Sequence, residues 1–72
     1  MGYTKYDHIK KSYLPGDRLE CVHMEDAWAV PPGTKGSVDF VDDYGNIHMK
    51  WDNGRTLSLI PDVDKFKKIV ED

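Results

Sequence analysis

Apolar side chains near the start of the chain recur at the spacing of a helix. Tyr6, Ile9 and Tyr13 lie three and four residues apart, which places them on one helical face. Pro15 disfavours helical geometry in the residue before it. The pattern therefore predicts a short amphipathic helix over residues 4–13, which is stable only if this face packs against the rest of the domain.

From residue 17 onward the hydrophobic period changes from helical spacing to alternation. Leu19 and Cys21 alternate with charged residues, which is typical of a strand with one buried face. Val22 and Met24 then continue in the opposite phase. A change of phase within one strand predicts a β-bulge or a strong bend, a device by which small barrels wrap around their core.

Alternation and turn residues predict four further strands, at positions 37–42, 47–51, 55–60 and 66–70. Asn53 and Gly54 connect the third and fourth strands, and this dipeptide readily forms a tight hairpin turn. Five short strands with one long first loop predict a mostly β fold. We expect a small five-stranded SH3-like barrel at residues 16–72, preceded by a short N-terminal helical arm at residues 1–15.

The stretch VPPGTKGSV concentrates turn-forming residues at the end of the longest loop, which spans residues 25–35. Pro31 and Pro32 stiffen the loop and reduce the entropy that it loses on folding. Gly33 permits a reversal of the chain, and Gly36 lets the next strand begin close to a neighbouring backbone. The stretch therefore predicts a sharp bend that is first of all structural.

Several blocks in a fixed order give the chain a family resemblance: PGDRLE, the MED of residues 24–26, PPGTKGSV, VDDYGNI and WDNG. With these blocks the chain resembles the family named domain of unknown function 4314, small proteins of phages and bacterial mobile elements. The resemblance implies the SH3-like barrel and a bacterial, phage or plasmid context. It implies no activity, because none is established for the family.

Composition limits the class of protein. The 72 residues are 39% hydrophobic and 32% charged, which indicates one small soluble domain rather than a disordered or membrane protein. No segment approaches the roughly 20 apolar residues of a bilayer span, and the first residues lack the apolar stretch of a secretory signal. The single cysteine, Cys21, cannot form an internal disulfide. These features predict a cytoplasmic location and no membrane contact.

Lysines cluster near both ends of the chain, which raises the possibility of nucleic-acid binding. The six residues concerned are Lys5, Lys10, Lys11, Lys65, Lys67 and Lys68. If the two ends meet in space, these side chains form one basic patch. The net charge of −3 disfavours this interpretation, and charge clusters are usually solvated surfaces.

The sequence contains few residues suited to catalysis or metal binding. Cys21, His23 and His48 are the conceivable metal ligands, but Cys21 is in phase with the buried face of its strand and no CxxC pair is present. The aspartate pairs 42/43 and 62/64 are better suited to turns and caps than to acid–base chemistry. The sequence shows no nucleophile–base pair or cofactor fingerprint. It therefore predicts no enzyme, no cofactor and no metal site.

Aromatic and proline residues define the candidate interaction surface. Its members are Trp28, Val30, Pro31, Pro32, Tyr44 and Trp51. Trp51 is in phase with the buried residues of its strand, which favours a core position instead. For Trp28 two arrangements stay open: the ring is exposed for binding, or the loop folds back and buries it.

The sequence thus predicts a non-enzymatic binding module that contacts a protein or peptide partner through the long first loop, with a homodimer as one possibility. The alternative is a nucleic-acid-binding accessory protein of a phage or mobile element, in which the terminal lysines contact phosphates. A purely structural accessory role is a third interpretation.

Overall fold

The computed structural model describes residues 5–70, with the backbone alone for residues 5–7. Among the described residues one helix and four strands form, in the order α1 Lys5–Ser12, β1 Arg18–His23, β2 Lys35–Val41, β3 Ile47–Trp51 and β4 Lys65–Ile69. The predicted roles of the Lys5 and Tyr6 side chains lie outside the described part of the chain.

Helix α1 packs against the core through the face that its spacing predicts. Ile9 and Tyr13 both contact the core cluster, and the ring of Tyr13 meets that of Phe66 edge-on at 5.6 Å between centroids. After the helix, the Asp17 carboxylate accepts a hydrogen bond from the Leu14 backbone N–H. This bond, followed by the nearby Lys68, lowers the pKa of Asp17. The corner between α1 and β1 is therefore held by a charged side chain as well as by packing.

The four strands form one antiparallel sheet in the order β3-β2-β1-β4. The pairing of β1 with β4 shifts between Cys21 and His23, so two steps on β1 match one on β4. This confirms the predicted bulge. Met24 is buried after the bulge. Val22 shares the phase of Met24 but is 44% exposed and lies outside the core, because the extra residue at a bulge leaves the regular alternation.

The core lies on one face of this sheet. Its buried side chains, among those described, are Leu19, Cys21, Met24, Val30, Val38, Ile47, Met49, Trp51 and Leu59. The strands contribute alternate residues, and loop residues complete the core from the side. A small apolar cluster of this kind is what a 72-residue chain can bury.

The predicted strand over residues 55–60 is reduced to a single bridge between Leu59 and Ile47. The Trp51 N–H donates to the Arg55 carbonyl at 2.8 Å, in the same register as that bridge. Between these two points the Leu57 carbonyl accepts a hydrogen bond from the Trp51 indole at 2.8 Å. A side-chain bond thus takes the place of the regular ladder. Within the described residues the fold is mostly β, as predicted, with four strands in a sheet that does not close, so the fifth strand and the closed barrel are not confirmed.

The VPPGTKGSV stretch makes the predicted bend by pairing with β1. The Cys21 N–H donates to the Thr34 carbonyl at 2.8 Å, and the Gly33 N–H donates to the Cys21 carbonyl at 2.7 Å. Gly33 has a φ of +90°, a conformation that other residues rarely adopt. The end of the long loop is therefore fixed to the sheet.

Candidate binding surfaces

Trp28 is exposed, and its backbone is held by hydrogen bonds on both sides. The side chain is 73% exposed. Its backbone N–H donates to the Asp26 carboxylate at 2.8 Å, and its carbonyl accepts from the Arg55 guanidinium. The Ala29 N–H also donates to the Asp26 carbonyl. Of the two arrangements left open by the sequence, the structure has the exposed ring, carried on a fixed backbone.

Among the other members of the predicted surface, some are exposed and some are buried. Pro31 and Pro32 are exposed in the same loop as Trp28. Val30 is 1% exposed and Trp51 is 3% exposed, and both belong to the core. Their inclusion in a binding surface is therefore wrong. Val30 points inward where its loop returns to β2, and Trp51 follows the inward phase of β3.

Tyr44 is exposed but lies far from Trp28. Its side chain is 77% exposed in the turn between β2 and β3, next to Ile47, whereas the backbone of Trp28 is bonded to Arg55, which follows the other end of β3. At about 3.3 Å per residue, the strand that separates the two ends is roughly 13 Å long. Trp28 and Tyr44 therefore belong to separate surfaces.

Tyr44 forms part of a cleft of about 320 Å³. Three segments line it: the middle of α1, the β2–β3 turn and the turn that follows residue 59. The lining residues are His8, Ile9, Tyr44, Gly45, Asn46, Ile60, Pro61 and Asp62. Most of its surface is apolar and a smaller part is polar, which is the usual composition of a ligand-binding cleft.

Asp42 organises the β2–β3 turn that carries Tyr44. Its Oδ1 accepts hydrogen bonds of 2.9 Å from the backbone N–H groups of Tyr44 and Asn46, and its Oδ2 lies 2.9 Å from His48 Nε2. These bonds, the one to His48 first, lower the pKa of Asp42 to about 2. The sequence predicts that Asp42 serves in a turn, and these hydrogen bonds confirm that prediction.

His48 connects Asp42 to Ser58 on the outer face of the sheet. Its Nδ1 lies 3.2 Å from the Ser58 hydroxyl, and its ring stacks on Phe40 at 4.2 Å between centroids. Asp42, His48 and Ser58 have the residue types of an acid, a base and a nucleophile. The sequence does not reveal this grouping, because Ser58 is brought close to His48 only by the neighbouring bridge between Leu59 and Ile47. Neither His48 nor Ser58 lines the cleft. The geometry therefore supports a cross-strand network that fixes the outer face of the sheet.

The low pKa of Asp42 predicts a loss of stability in acid. A carboxyl whose pKa falls from 3.8 to about 2 on folding stabilises the protein above pH 3.8, and that contribution disappears as the pH falls through 2. We expect the difference in free energy of unfolding between wild type and Asp42→Asn to shrink between pH 5 and pH 2. Urea unfolding at several pH values measures this difference. A constant difference across that range would contradict the assignment.

The predicted basic patch is largely neutralised by carboxylates. Lys68 Nζ lies 3.0 Å from the Ser12 carbonyl, so β4 and the end of α1, which carry these lysines, do meet. However, Lys68 pairs with Asp17 at 3.1 Å, Lys67 lies 3.7 Å from Glu20, and Lys10 pairs with Asp43. The other two described members, Lys11 and Lys65, are exposed. The structure thus brings part of the cluster together but matches three of its charges with carboxylates.

The three conceivable metal ligands do not form one site. Cys21 is fully buried, and burial raises the pKa of its thiol. His23 is exposed and lies 3.1 Å from the Glu25 carboxylate, while His48 is held by Asp42. Over residues 5–70, no group of three or more His, Cys, Asp or Glu side chains has an arrangement that holds a metal ion.

A comparison with known proteins identifies the family of this chain. The model of the family described as Domain of unknown function (DUF4314) matches residues 3–69. The chain belongs to the DUF4314 family. No curated protein matches it. The DUF4314 match spans α1, the four described strands, Trp28 and Tyr44, so the Trp28 loop and the Tyr44 cleft both lie within the family domain.

Helix α1 of this DUF4314 domain has eight residues. Across the described part of the chain, no helix has the length and hydrophobicity needed to cross a bilayer.

Proposed function

We propose that this DUF4314 domain is a non-enzymatic binding module that contacts a protein or peptide partner through the Trp28 loop, residues 25–34. The carrying observation is a tryptophan ring that is 73% exposed on a backbone fixed by Asp26 and Arg55. Because the loop is already ordered, a partner does not have to supply the entropy of fixing it. Tryptophan is also among the residues that most often dominate binding energy at interfaces.

The surroundings of Trp28 favour an extended partner segment. Pro31 and Pro32 are exposed a few residues further along the same loop and extend its apolar surface. Aromatic side chains beside such a surface suit proline-rich or extended peptides. A second copy of the chain is another partner that would cover the ring, and the oligomeric state of the purified protein distinguishes the two.

The wider setting of this proposal is an SH3-like architecture in the cytoplasm of a bacterium that carries a phage or mobile element. The return of β4 to pair with β1 and the Leu59–Ile47 bridge support the SH3-like comparison, because segment 55–60 already lies along β3. The cytoplasmic location is supported by a single cysteine that is buried and free. The resemblance in the sequence blocks supports the mobile-element context.

Trp28→Ala tests the proposal directly. We expect the variant to lose its partner, with affinity reduced at least about 30-fold, since truncating an interface tryptophan commonly costs 2 kcal/mol or more. Capture from host lysate with wild-type protein identifies the partner, and titration with the purified partner measures the affinity. The free energy of unfolding should change by less than about 0.5 kcal/mol, because the ring is exposed.

Tyr44→Ala is the matched control, since it removes an aromatic ring of similar exposure at the other end of β3. Capture at low and high salt tests the nucleic-acid alternative in the same experiment, because phosphate contacts weaken steeply with salt. If the captured material were nucleic acid released by salt and unaffected by Trp28→Ala, the proposal would be wrong and the terminal lysines would become the candidate surface.

A further inference from the structure

The turn after β3 contains an Asn-Gly pair that is exposed to water. Asn53 and Gly54 both lie at the surface, and the space around Gly54 is open. The Arg55 N–H donates to the Asn53 side-chain oxygen at 3.0 Å, which holds the side-chain carbonyl beside the backbone that follows it. Because Gly54 has no side chain, nothing at that residue blocks an attack of its nitrogen on this carbonyl.

This arrangement permits Asn53 to lose its side-chain nitrogen without an enzyme. The Gly54 nitrogen attacks Asn53 Cγ, the new N–Cγ bond replaces the Cγ–Nδ2 bond, and the Gly54 proton leaves with Nδ2 as ammonia. The Arg55 N–H stabilises the negative charge that develops on Oδ1 during the attack. Water then opens the resulting succinimide ring at one of its two carbonyl carbons. One opening gives aspartate, and the other gives isoaspartate, in which the main chain runs through the side-chain carbons.

The turn must open slightly before this reaction can begin. The Gly54 N–H donates to the Trp51 carbonyl at 2.9 Å, and the nitrogen has to leave that bond. Residues 52–56 are all exposed, and the chain after the turn pairs with β3 only at isolated points. Local opening of such a turn exposes no core residue and is therefore inexpensive.

The other asparagine of the chain, Asn46, is protected from the same reaction. The next residue is Ile47, which is fully buried. The Ile47 N–H donates to the Leu59 carbonyl at 2.9 Å, so an attack by this nitrogen would break a bond of the core bridge. The β-branched side chain also crowds the approach to the Asn46 carbonyl. The structure thus distinguishes the two asparagines.

Arg55 connects the Asn-Gly turn to the Trp28 loop. Its carbonyl accepts the Trp51 N–H at 2.8 Å, while its guanidinium donates to the Trp28 carbonyl. Isoaspartate at position 53 adds one carbon to the main chain between Trp51 and Arg55. Arg55 then cannot keep its place opposite Trp51 and also reach Trp28. Aspartate at the same position adds the same charge but leaves the length of the main chain unchanged.

We propose that Asn53 is a site of spontaneous modification, at which conversion to isoaspartate releases Arg55 from Trp28 and loosens the Trp28 loop as the protein ages. The effect on binding rests on the proposed function of that loop. The chemistry and the release of the loop need no partner, so they can be tested even if the proposed function fails.

Peptide mapping of the aged protein tests the chemistry. Trypsin cuts after Lys50 and Arg55 and so places the two asparagines in separate peptides. After several weeks in mildly alkaline buffer, we expect conversion at Asn53 to be at least about 10-fold faster than at Asn46. Mass spectrometry measures both rates in one sample, and chromatography separates the aspartate product from the isoaspartate product of equal mass. An unchanged Asn53, or equal rates at the two asparagines, would overturn the proposal.

Hydrogen exchange measured by NMR tests the release of the loop. The 72-residue chain is short enough for chemical synthesis with isoaspartate at position 53. In that chain the amides of Trp28 and Ala29, both bonded to Asp26, should exchange at least about 5-fold faster than in wild type. Arg55→Ala should accelerate the same two amides, because it removes the guanidinium.

Asn53→Asp is the matched control, since it carries the added charge on a main chain of normal length. Its Trp28 and Ala29 amides should exchange within about 2-fold of the wild-type rates. Exchange at Trp28 that is unchanged by isoaspartate, or accelerated as much by Asn53→Asp, would contradict the release. Faster exchange throughout the sheet would also contradict it, because the change would then not be confined to the loop.

Discussion

Replacing Asp64 by alanine is expected to lower the free energy of unfolding by about 3 kcal/mol, because two backbone donors lose a charged acceptor. Asp64 is 6% exposed. Its Oδ1 accepts from the Glu25 N–H at 2.9 Å and its Oδ2 from the Ile60 N–H at 2.8 Å. One carboxylate thus joins the start of the Trp28 loop to the turn that precedes β4. Leaving partly buried N–H groups without partners costs about 1–3 kcal/mol each.

Urea unfolding of the Asp64→Ala and Asp62→Ala variants measures this effect. Asp62 lies in the same turn but is exposed, so its replacement should cost less than about 0.5 kcal/mol. Asp64→Asn keeps one oxygen acceptor and should fall between wild type and Asp64→Ala. Domains of this length have a total stability of roughly 4–11 kcal/mol, so the expected loss is a large share of it. Equal losses for Asp64→Ala and Asp62→Ala would contradict the role of the buried carboxylate.

The strands with clean alternation were predictable from the sequence. The structure has β3 at Ile47–Trp51, the bounds that its alternation predicts, and β2 and β4 each begin within two residues of the predicted position. In β2 and β3 the buried residues share one phase, which imposes the period of two. The shorter pattern of β4 is less regular, and this strand packs against the core through Phe66. The turn roles of Asp42 and Asp64 were predictable for a related reason, since short carboxylates accept backbone N–H bonds within a turn.

Segment 55–60 shows where alternation fails. Its pattern is that of a strand, and its two ends do pair with β3, but the Leu57 carbonyl bonds to the indole of Trp51. Sequence periodicity shows which residues are apolar, but it does not show which donor forms a hydrogen bond with a given carbonyl. The exposure of Val22 has a similar origin, because a bulge changes the direction of a side chain without changing its residue type.

The candidate surface was only partly predictable. Exposure of Trp28 depends on two bonds to its backbone, one from a residue 27 positions away, and no local pattern contains that contact. The distance between Trp28 and Tyr44 depends on which end of β3 each adjoins. The cleft beside Tyr44 combines residues from three distant segments, so neither its volume nor its lining can be predicted before the chain is folded.

Replacing Gly36 by alanine is expected to destabilise the domain by about 2–3 kcal/mol, which corresponds to a fall in Tm of roughly 10–20 °C for a domain of this size. A Cβ at this position would lie 2.9 Å from both the Lys50 carbonyl oxygen and the Trp51 Cα, and 2.8 Å from Trp51 Cε3. Gly36 pairs with Trp51 across β2 and β3. Two of these three contacts are with backbone, so a change of side-chain rotamer cannot relieve them.

Lys35→Ala provides the matched control, since it adds no atom and alters an exposed residue next to Gly36 on β2. Thermal unfolding of the two variants should show a large loss for Gly36→Ala and a shift of no more than a few degrees for Lys35→Ala. Because the clash lies where β2 meets β3, the amides of those strands should also exchange faster with solvent in Gly36→Ala than in wild type. A Gly36→Ala variant as stable as wild type would mean that β2 and β3 lie farther apart at Trp51 than these distances, and that glycine is not required at this position.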